Sequence, residues 1–122
     1  MSSSAVAGRD TATLEAWVTD ARDRTLGVLD ELDDAQLDMP PYLPTVNPFR
    51  WEIGHVAWFQ DHFVLQDGLG LESTERGAAQ LYDSAAVGHE RRWRQEPKSR
   101  ARLRAYVTAV CDRVLEALAA RE

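Results

Sequence analysis

The chain has 122 residues, 44% of them hydrophobic and 28% charged, which is the composition of a single globular domain. Its formal net charge of −6 argues against nucleic acid as a principal partner. No apolar run approaches the roughly 20 residues that span a bilayer, and no export signal is recognisable, so we expect no membrane partner. The single cysteine, Cys111, cannot form an internal disulfide, which favours a reducing, cytoplasmic setting.

The first part of the chain is predicted to hold one long helix. Residues 1–10 are small and polar and are expected to be disordered, so that the helical domain covers residues 11–122. The helix starts at about Thr11 and ends near Leu32. The acidic run after it opposes the helix dipole, which predicts fraying or a short second turn at 35–37. The apolar seam of this helix follows steps of four and three residues: Leu14, Val18, Ala21, Thr25, Val28 and Leu32.

A proline-rich crossing and an aromatic helix follow. Residues 39–44 contain three prolines, which predict a rigid extended segment. Asn47 is suited to cap the next helix, and Pro48 to occupy its first position. This helix is predicted to run to about Gln66, where two glycines end it. One side of it carries rings at three- and four-residue steps: Trp51, His55, Trp58 or Phe59, and His62.

The rest of the chain is predicted to be a loop at 67–80, a short helix at 80–87 and an irregular basic segment at 88–98. Ser99 is a good N-cap for a last long helix. No segment alternates apolar and polar residues between turn signals, so the fold class is all-α. The last helix has a second clean seam: Leu103, Val107, Val110, Val114 and Leu118.

Three long amphipathic helices leave an open apolar groove, whereas four close an up-down bundle. The seam of the last helix is still running where the sequence stops. We therefore expect that a fourth helix is missing and that the bundle is incomplete. The partner helix would come from a longer polypeptide or from a second copy of the chain. The alternative is a three-helix domain with a frayed C-terminus.

Among the candidate functional residues, His55 is the most informative. A histidine on an apolar helix face is either a core residue or a ligand. Gly54 beside it permits the close approach of another backbone, and Trp51 and Phe59 are placed to shield it one turn away on either side. His62 lies about 10 Å further along the helix axis, too far to share a metal ion with His55. We interpret His62 as a partly exposed residue near the helix end.

The other reactive residues point to structural roles. His89 is expected at the surface, and Cys111 is expected to be inert packing within the last helix. No nucleophile–base pair, phosphate loop or complete metal site is present in the sequence, so no catalytic residue is assigned. A basic group is expected to be a solvated surface, with anion binding as the alternative; it comprises Arg91, Arg92, Arg94, Lys98, Arg100, Arg102 and Arg104.

Two stretches carry a family resemblance. The first, LPTVNPFRWEIGHVAWFQ at 43–60, resembles the signature of the DinB-like N-terminal domain of ergothioneine synthases and the related selenoneine synthases. Its W-x-x-x-H-x-x-W-F core is fairly specific. The second, LYDSAAVGHERRW at 81–93, resembles the segment that follows in the same enzymes and is closer to the selenoneine branch. With the last helix, the resemblance covers nearly the whole chain from about residue 13.

This resemblance implies a non-haem iron enzyme that uses O₂ to join a sulfur or selenium donor to the imidazole of hercynine (trimethylhistidine). In these enzymes three histidines bind Fe(II) between the DinB-like bundle and a C-terminal domain of the formylglycine-generating-enzyme type. His55 matches the first ligand. The other two form an HxxxH pair on a fourth bundle helix, which this sequence does not contain. The C-terminal domain, with its catalytic tyrosine, is also outside it, so the 122 residues alone are expected to be inactive.

The resemblance also implies substrate contacts. In the sulfur enzymes, arginines in the segment after Tyr-Asp bind the carboxylates of the thiol substrate. Arg92 matches one of them, and the planar fork of an arginine suits a carboxylate. His89 stands where another arginine is expected, which agrees with a sugar-like selenium donor but leaves the choice of sulfur or selenium open. The aromatic wall of the pocket would be Trp51, Trp58 and Phe59.

Two principal hypotheses follow. The chain is the N-terminal domain of a chalcogen-transferring iron enzyme, or it is a stand-alone DinB-like binding or assembly module without catalysis. A third is a purely structural helical fragment. Because one imidazole supplies only a fraction of a coordination shell, the isolated chain is expected to bind iron poorly.

Overall fold

A computed structural model of the chain describes residues 10–38, 44–95 and 98–120. Across these ranges the chain is helical and contains no strand, which confirms the predicted all-α class. The expectations for residues 1–9 and 39–43 lie outside the described residues. The α-helices are α1 (Thr11–Glu31), α2 (Asp34–Asp38), α3 (Phe49–Gln60), α4 (Ala78–Tyr82), α5 (His89–Arg94) and α6 (Arg100–Ala120), and a π-helical segment (Asp61–Gly68) continues α3 directly.

Local capping explains three of the helix starts. Asp10 accepts a hydrogen bond from the Thr13 amide at 2.8 Å and so caps α1. Asp33 and Gln36 exchange side-chain to backbone bonds at 2.8 Å, a capping box that starts the predicted short turn α2. The hydroxyl of Ser99 accepts from the backbone amide three residues later at 3.1 Å, which confirms its predicted role at α6.

The long helices α1 and α6 pack together, and α3 also packs on α6. The predicted seam of α6 is confirmed, because Leu103, Val107, Val110 and Val114 are buried and Leu118 packs against them. At the C-terminal end of α1, Arg100 of α6 donates to the carbonyls of Leu29 and Leu32, which have no partners within the helix. A cation at this position also offsets the dipole of α1 and its acidic end.

The seam predicted for α1 is partly wrong. Leu29 is fully buried and Leu26 is partly buried, whereas Val28 is 53% exposed and Ala21 is exposed. The buried stripe therefore lies about one residue away from the predicted one in the last turns. A straight helix rotates by about 20° per heptad relative to a strict seven-residue pattern, so steps of four and three lose the buried face over several turns.

The aromatic helix starts one residue later than predicted and ends differently. Pro48, not Asn47, is the capping position, and no side-chain cap is made there. The amide of Asn47 instead donates to Glu52 at 3.1 Å. After Gln60 the helix widens into the π-helical segment, which periodicity does not predict, and it ends at Gly68. Gly70 follows with a φ of 70°, a left-handed conformation that suits glycine.

Two expectations for the segment before α6 are corrected. The short helix α4 covers Ala78–Tyr82 and not 80–87, and residues 88–98 are not an irregular segment throughout, because α5 lies within them. An ion pair between Glu90 and Arg94 at 2.6 Å, four residues apart on α5, favours the helix. Among the described helices, none combines the length and apolar character that a bilayer span requires.

Candidate functional site

Four rings on α3 and its π-helical continuation form a column. The imidazole of His55 stacks on Trp51, with 4.6 Å between ring centroids and 10° between the planes. On its other side it stacks on Trp58 at 5.8 Å and 25°. The far face of Trp58 in turn stacks on His62 at 4.9 Å and 14°. The aromatic column thus places both histidines against Trp58, as neighbours at helical spacing.

The last carbonyls of α4 hold this column in place. The indole of Trp51 donates to the carbonyl of Leu81 at 2.7 Å, and Nδ1 of His55 bonds to the carbonyl of Tyr82 at 2.8 Å. These carbonyls belong to the end of a helix, where no intrahelical donor is available. Since a carbonyl can only accept, Nδ1 carries the hydrogen, and Nε2 of the neutral ring keeps its lone pair. His55 makes no other hydrogen bond within the described residues.

Gly54 contacts the ring of Tyr82. A Cβ built on Gly54 would lie 2.2 Å from Cε1 and Cζ of that ring. The predicted close approach is therefore real, but a side chain makes it and not a backbone.

Arg92 lies flat over Trp51, with its Cζ 4.1 Å from the ring centroid, so it extends the column by a cation–π contact. It also donates to the carbonyl of Val87 at 2.9 Å, to Asn47 Oδ1 at 3.1 Å and to the carbonyl of Ser84 at 3.1 Å. An arginine has five N–H groups, so these three bonds leave two for another acceptor. Much of this guanidinium serves to hold α5 and the preceding loop against α3.

His89 is half-buried at the first position of α5. Its Nε2 accepts a hydrogen bond from the indole of Trp93 at 3.2 Å, and the two rings meet edge to face. Trp93 also donates to the carbonyl of Val46 at 3.0 Å. The expected surface position of His89 is therefore only partly correct, because its ring is engaged in tertiary contacts.

An apolar face lies beside the column. Trp58 is buried, whereas Phe59 is 53% exposed and reaches His55 only with its edge, at 6.4 Å between centroids. Of the three predicted wall residues, the two tryptophans therefore flank the imidazole and Phe59 lies at its outer edge. We define the apolar face as the exposed side chains of Val56, Phe59, Phe63 and Val64.

Sequence reasoning missed Asp61, which is 1% exposed and begins the π-helical segment. Its carboxylate accepts from the Thr74 amide at 3.0 Å and hydroxyl at 2.7 Å, and from the Tyr106 hydroxyl at 3.1 Å. Arg113 lies 3.8 Å away. Burial, and then the nearby charge of Asp61, raise the pKa of Tyr106 above its usual range. The signal was present, because Asp61 occupies a buried position of the apolar stripe between Trp58 and Leu65.

The sequence model of the DinB superfamily matches residues 18–122. The chain belongs to the DinB superfamily. A search of curated proteins found no match. The matched residues of this DinB-superfamily chain include the whole aromatic column, the carbonyls that hold it and the buried Asp61.

Two further groups of the DinB-superfamily chain have structural roles. Cys111 is buried as expected, and burial raises the pKa of its thiol, which disfavours the reactive thiolate. The basic group is not simply a solvated surface. Lys98 pairs with Glu75 at 2.8 Å, Arg104 pairs with Asp30, and Arg100 bonds the end of α1. Together with Arg92, these cations join distant parts of the fold.

Proposed function

We propose that this DinB-superfamily chain is the N-terminal domain of a cytoplasmic, non-haem iron enzyme that uses O₂ to form a C–S or C–Se bond on the imidazole of hercynine. The family resemblance of residues 43–60 and 81–93 motivates the proposal. The observation that carries it is the state of His55. Its Nδ1–H is bonded to a backbone carbonyl and its Nε2 lone pair has no partner among the described residues.

The chemistry of His55 fits a metal ligand. Histidines that bind metals through one nitrogen usually donate the other N–H to a carbonyl or carboxylate, which orients the ring and fixes the tautomer. A neutral imidazole is also a suitable donor for Fe(II). Within the part of the chain that the structure describes, no three His, Cys, Asp or Glu side chains meet as a metal site. The proposal therefore requires further donors, such as the HxxxH pair of the resembling enzymes, in cis or from a second copy.

Bound iron would supply the activation of O₂ and a coordination position for the chalcogen donor. The residues of this chain would orient the ligand, exclude water and bind the donor. Trp51 and Trp58 hold the imidazole of His55 between two ring faces, which limits its rotation and keeps water from both sides. The two remaining N–H groups of Arg92 can hold an anionic group of the donor. His89 stays a candidate substrate contact, on the resemblance alone.

The decisive experiment replaces His55 in the longest open reading frame that contains this chain. In His55→Ala we expect the bound iron to fall at least about tenfold, with C–S and C–Se bond formation lost, because a ligand is removed. His62→Ala is the matched control, since this imidazole stacks on the other face of Trp58. Iron content by metal analysis and product formation with each donor are the measurements. Unchanged iron and turnover in folded His55→Ala protein would refute the proposal.

The alternative is a DinB-like binding or assembly module without catalysis, and the apolar face favours it. Phe59 and Phe63 are exposed and in ring contact with each other near His55, with exposed Val56 and Val64 on the same continuous helix, and such clusters often mark protein interfaces. The module predicts that Phe59→Ser and Phe63→Ser disrupt self-association, read by light scattering after size-exclusion chromatography, while His55→Ala has no effect on metal content or turnover. The enzyme hypothesis predicts the opposite outcome for His55→Ala.

A further inference from the structure

We infer that Gly54 is a positioning residue for His55. Because it lacks a side chain, the ring of Tyr82 can lie directly against α3, and this contact places the Tyr82 carbonyl where it selects the Nδ1–H tautomer of His55. The functional meaning of this inference rests on the proposed role of His55 as a metal ligand. The structural part concerns only residues of this chain.

The contact leaves no space for a β-carbon. A Cβ on Gly54 would lie 2.2 Å from two ring carbons of Tyr82 and 2.6 Å from its hydroxyl oxygen. Carbon atoms in van der Waals contact are about 3.5–4.0 Å apart, so one partner would have to move by roughly 1 Å or more. Gly54 differs in this from Gly27 of α1, where nothing lies within 4 Å of an added Cβ.

The ring of Tyr82 is not free to swing away. It is only 4% exposed, and it stacks on Tyr106 of α6, with 6.0 Å between the centroids and 16° between the planes. Tyr106 is itself held by its bond to Asp61. Close packing transmits the displacement instead of absorbing it, so an added Cβ would move α4 away from α3.

That movement would act directly on His55. The same residue that contacts Gly54 with its ring contacts His55 with its carbonyl, at 2.8 Å from Nδ1. A hydrogen bond of this length is lost when its atoms separate by a further ångström. Without the carbonyl, the imidazole is expected to return to the Nε2–H tautomer that free histidine favours. Nε2 would then carry a hydrogen in place of the lone pair that the proposed metal site needs.

Nuclear magnetic resonance of the metal-free chain, labelled with ¹⁵N-histidine, reads the tautomer directly at alkaline pH, where imidazoles are neutral. The wild-type chain should have His55 mainly as Nδ1–H. In Gly54→Ala the tautomer ratio should shift toward Nε2–H by roughly fivefold or more, the factor that corresponds to a hydrogen bond of about 1 kcal/mol. Gly27→Ala is the matched control and should leave the ratio unchanged. Folding of each variant is checked by circular dichroism.

A double variant tests whether the ring itself transmits the effect. Leucine at position 82 lacks the ring atoms that a Cβ on residue 54 would meet, and it keeps the backbone carbonyl. Gly54→Ala combined with Tyr82→Leu should therefore restore the Nδ1–H tautomer, and should fold even where Gly54→Ala alone does not. A folded Gly54→Ala chain that keeps the wild-type ratio would overturn the inference. So would a double variant that fails to fold or fails to restore the ratio.

This measurement needs no metal, so its failure is distinct from that of the proposed function. Should His55→Ala leave iron content unchanged while the tautomer follows Gly54, the positioning contact stands and the iron proposal falls. If iron content falls in His55→Ala but the tautomer does not follow Gly54, Gly54 has no positioning role and His55 stays a candidate ligand.

Discussion

The same continuous helix presents two polar groups six positions apart, Asp61 and His55, and their hydrogen bonding differs. Asp61 is almost completely buried, and Thr74 and Tyr106 donate three hydrogen bonds to its carboxylate, with Arg113 nearby. His55 is half-buried between two aromatic faces, and one of its two nitrogens has no partner among the described residues.

The difference in hydrogen bonding separates a group used by the fold from one that the proposed function could use. A buried charge is tolerated when it is fully hydrogen-bonded, and the carboxylate oxygens of Asp61 accept hydrogen bonds from other parts of the fold. His55 makes only the hydrogen bond from Nδ1 that orients its ring, within the described residues. An oriented group with an unused lone pair beside an exposed apolar face is available to a ligand or a partner. Satisfaction of hydrogen bonds, and not burial alone, therefore distinguishes the two.

The largest expected effect is a loss of folding stability when Asp61 is replaced. Asp61→Ala leaves the amide and hydroxyl of Thr74 and the hydroxyl of Tyr106 without their acceptor, so the free energy of unfolding should fall by about 3–5 kcal/mol. Asp67→Ala, at an exposed carboxylate on the same π-helical segment, should cost no more than about 0.5 kcal/mol. Urea denaturation followed by circular dichroism measures both. Equal losses in the two variants would contradict a structural role for Asp61.

A smaller effect on the free energy of unfolding is expected at Arg92, which packs on the Trp51 end of the aromatic column. Arg92→Lys keeps the charge but loses the planar fork that reaches three acceptors, as well as the close stacking on Trp51. We expect a loss of about 2 kcal/mol in the free energy of unfolding, read by denaturant titration. The neighbouring exposed residue provides the control, and Arg91→Lys should have almost no effect. A tolerated Arg92→Lys would mean that this guanidinium is not needed to anchor α5.

The smallest expected effect is a pH dependence of the free energy of unfolding. It involves Tyr82, which contacts His55, and Tyr106, which contacts Asp61. Burial is the main cause that raises the pKa of both Tyr82 and Tyr106, from an ordinary value of 10.0. Above about pH 10 the unfolded chain loses these protons while the folded chain retains them, so the unfolded state binds fewer protons and stability falls. The stabilisation is complete below about pH 10, and the loss approaches about 1.4 kcal/mol per pH unit for each tyrosine.

Denaturation between about pH 9 and 11 measures this slope. Tyr82→Phe removes one of these ionisations and should reduce the slope by up to about 1.4 kcal/mol per pH unit. Tyr106, and the buried thiol of Cys111 whose pKa is also raised, account for the remainder. An unchanged slope in Tyr82→Phe would show that Tyr82 ionises at an ordinary pH in the folded chain.

The fold was predictable where local rules apply. Asp33 with Gln36, and Ser99, are capping residues whose partners lie within the next turn, so the starts of α2 and α6 follow from the sequence. The α6 seam was correct because the residues that adjoin it, Tyr106 and Cys111, lie on the same buried face. The α1 seam was not, because Leu26, Val28 and Leu29 offer two adjacent stripes and only packing against α6 chooses between them.

The candidate site was predictable in part, for the same reason. Helical spacing brings Trp51, His55, Trp58 and His62 to one side, and the structure stacks them there. The contacts of the aromatic column with α4 and α5 were not predictable, because α4 was placed too late and α5 was not expected. The role of Asp61 depends on Tyr106, which lies 45 residues further along the chain.

The motifs at 43–60 and 81–93 were sufficient to predict membership of the DinB superfamily. Local information was sufficient for the all-α class, the limits of α1, the start of α6 and the ring spacing around His55. These features depend on neighbours within a few turns, where periodicity, capping and helix propensity act directly. The tertiary structure alone decided which face of α1 is buried in its last turns, where α3 widens into a π-helix and which atoms meet His55. The bond from His55 joins residues 27 positions apart, and tertiary packing, which includes the contact of Tyr82 with Gly54, brings its acceptor into reach.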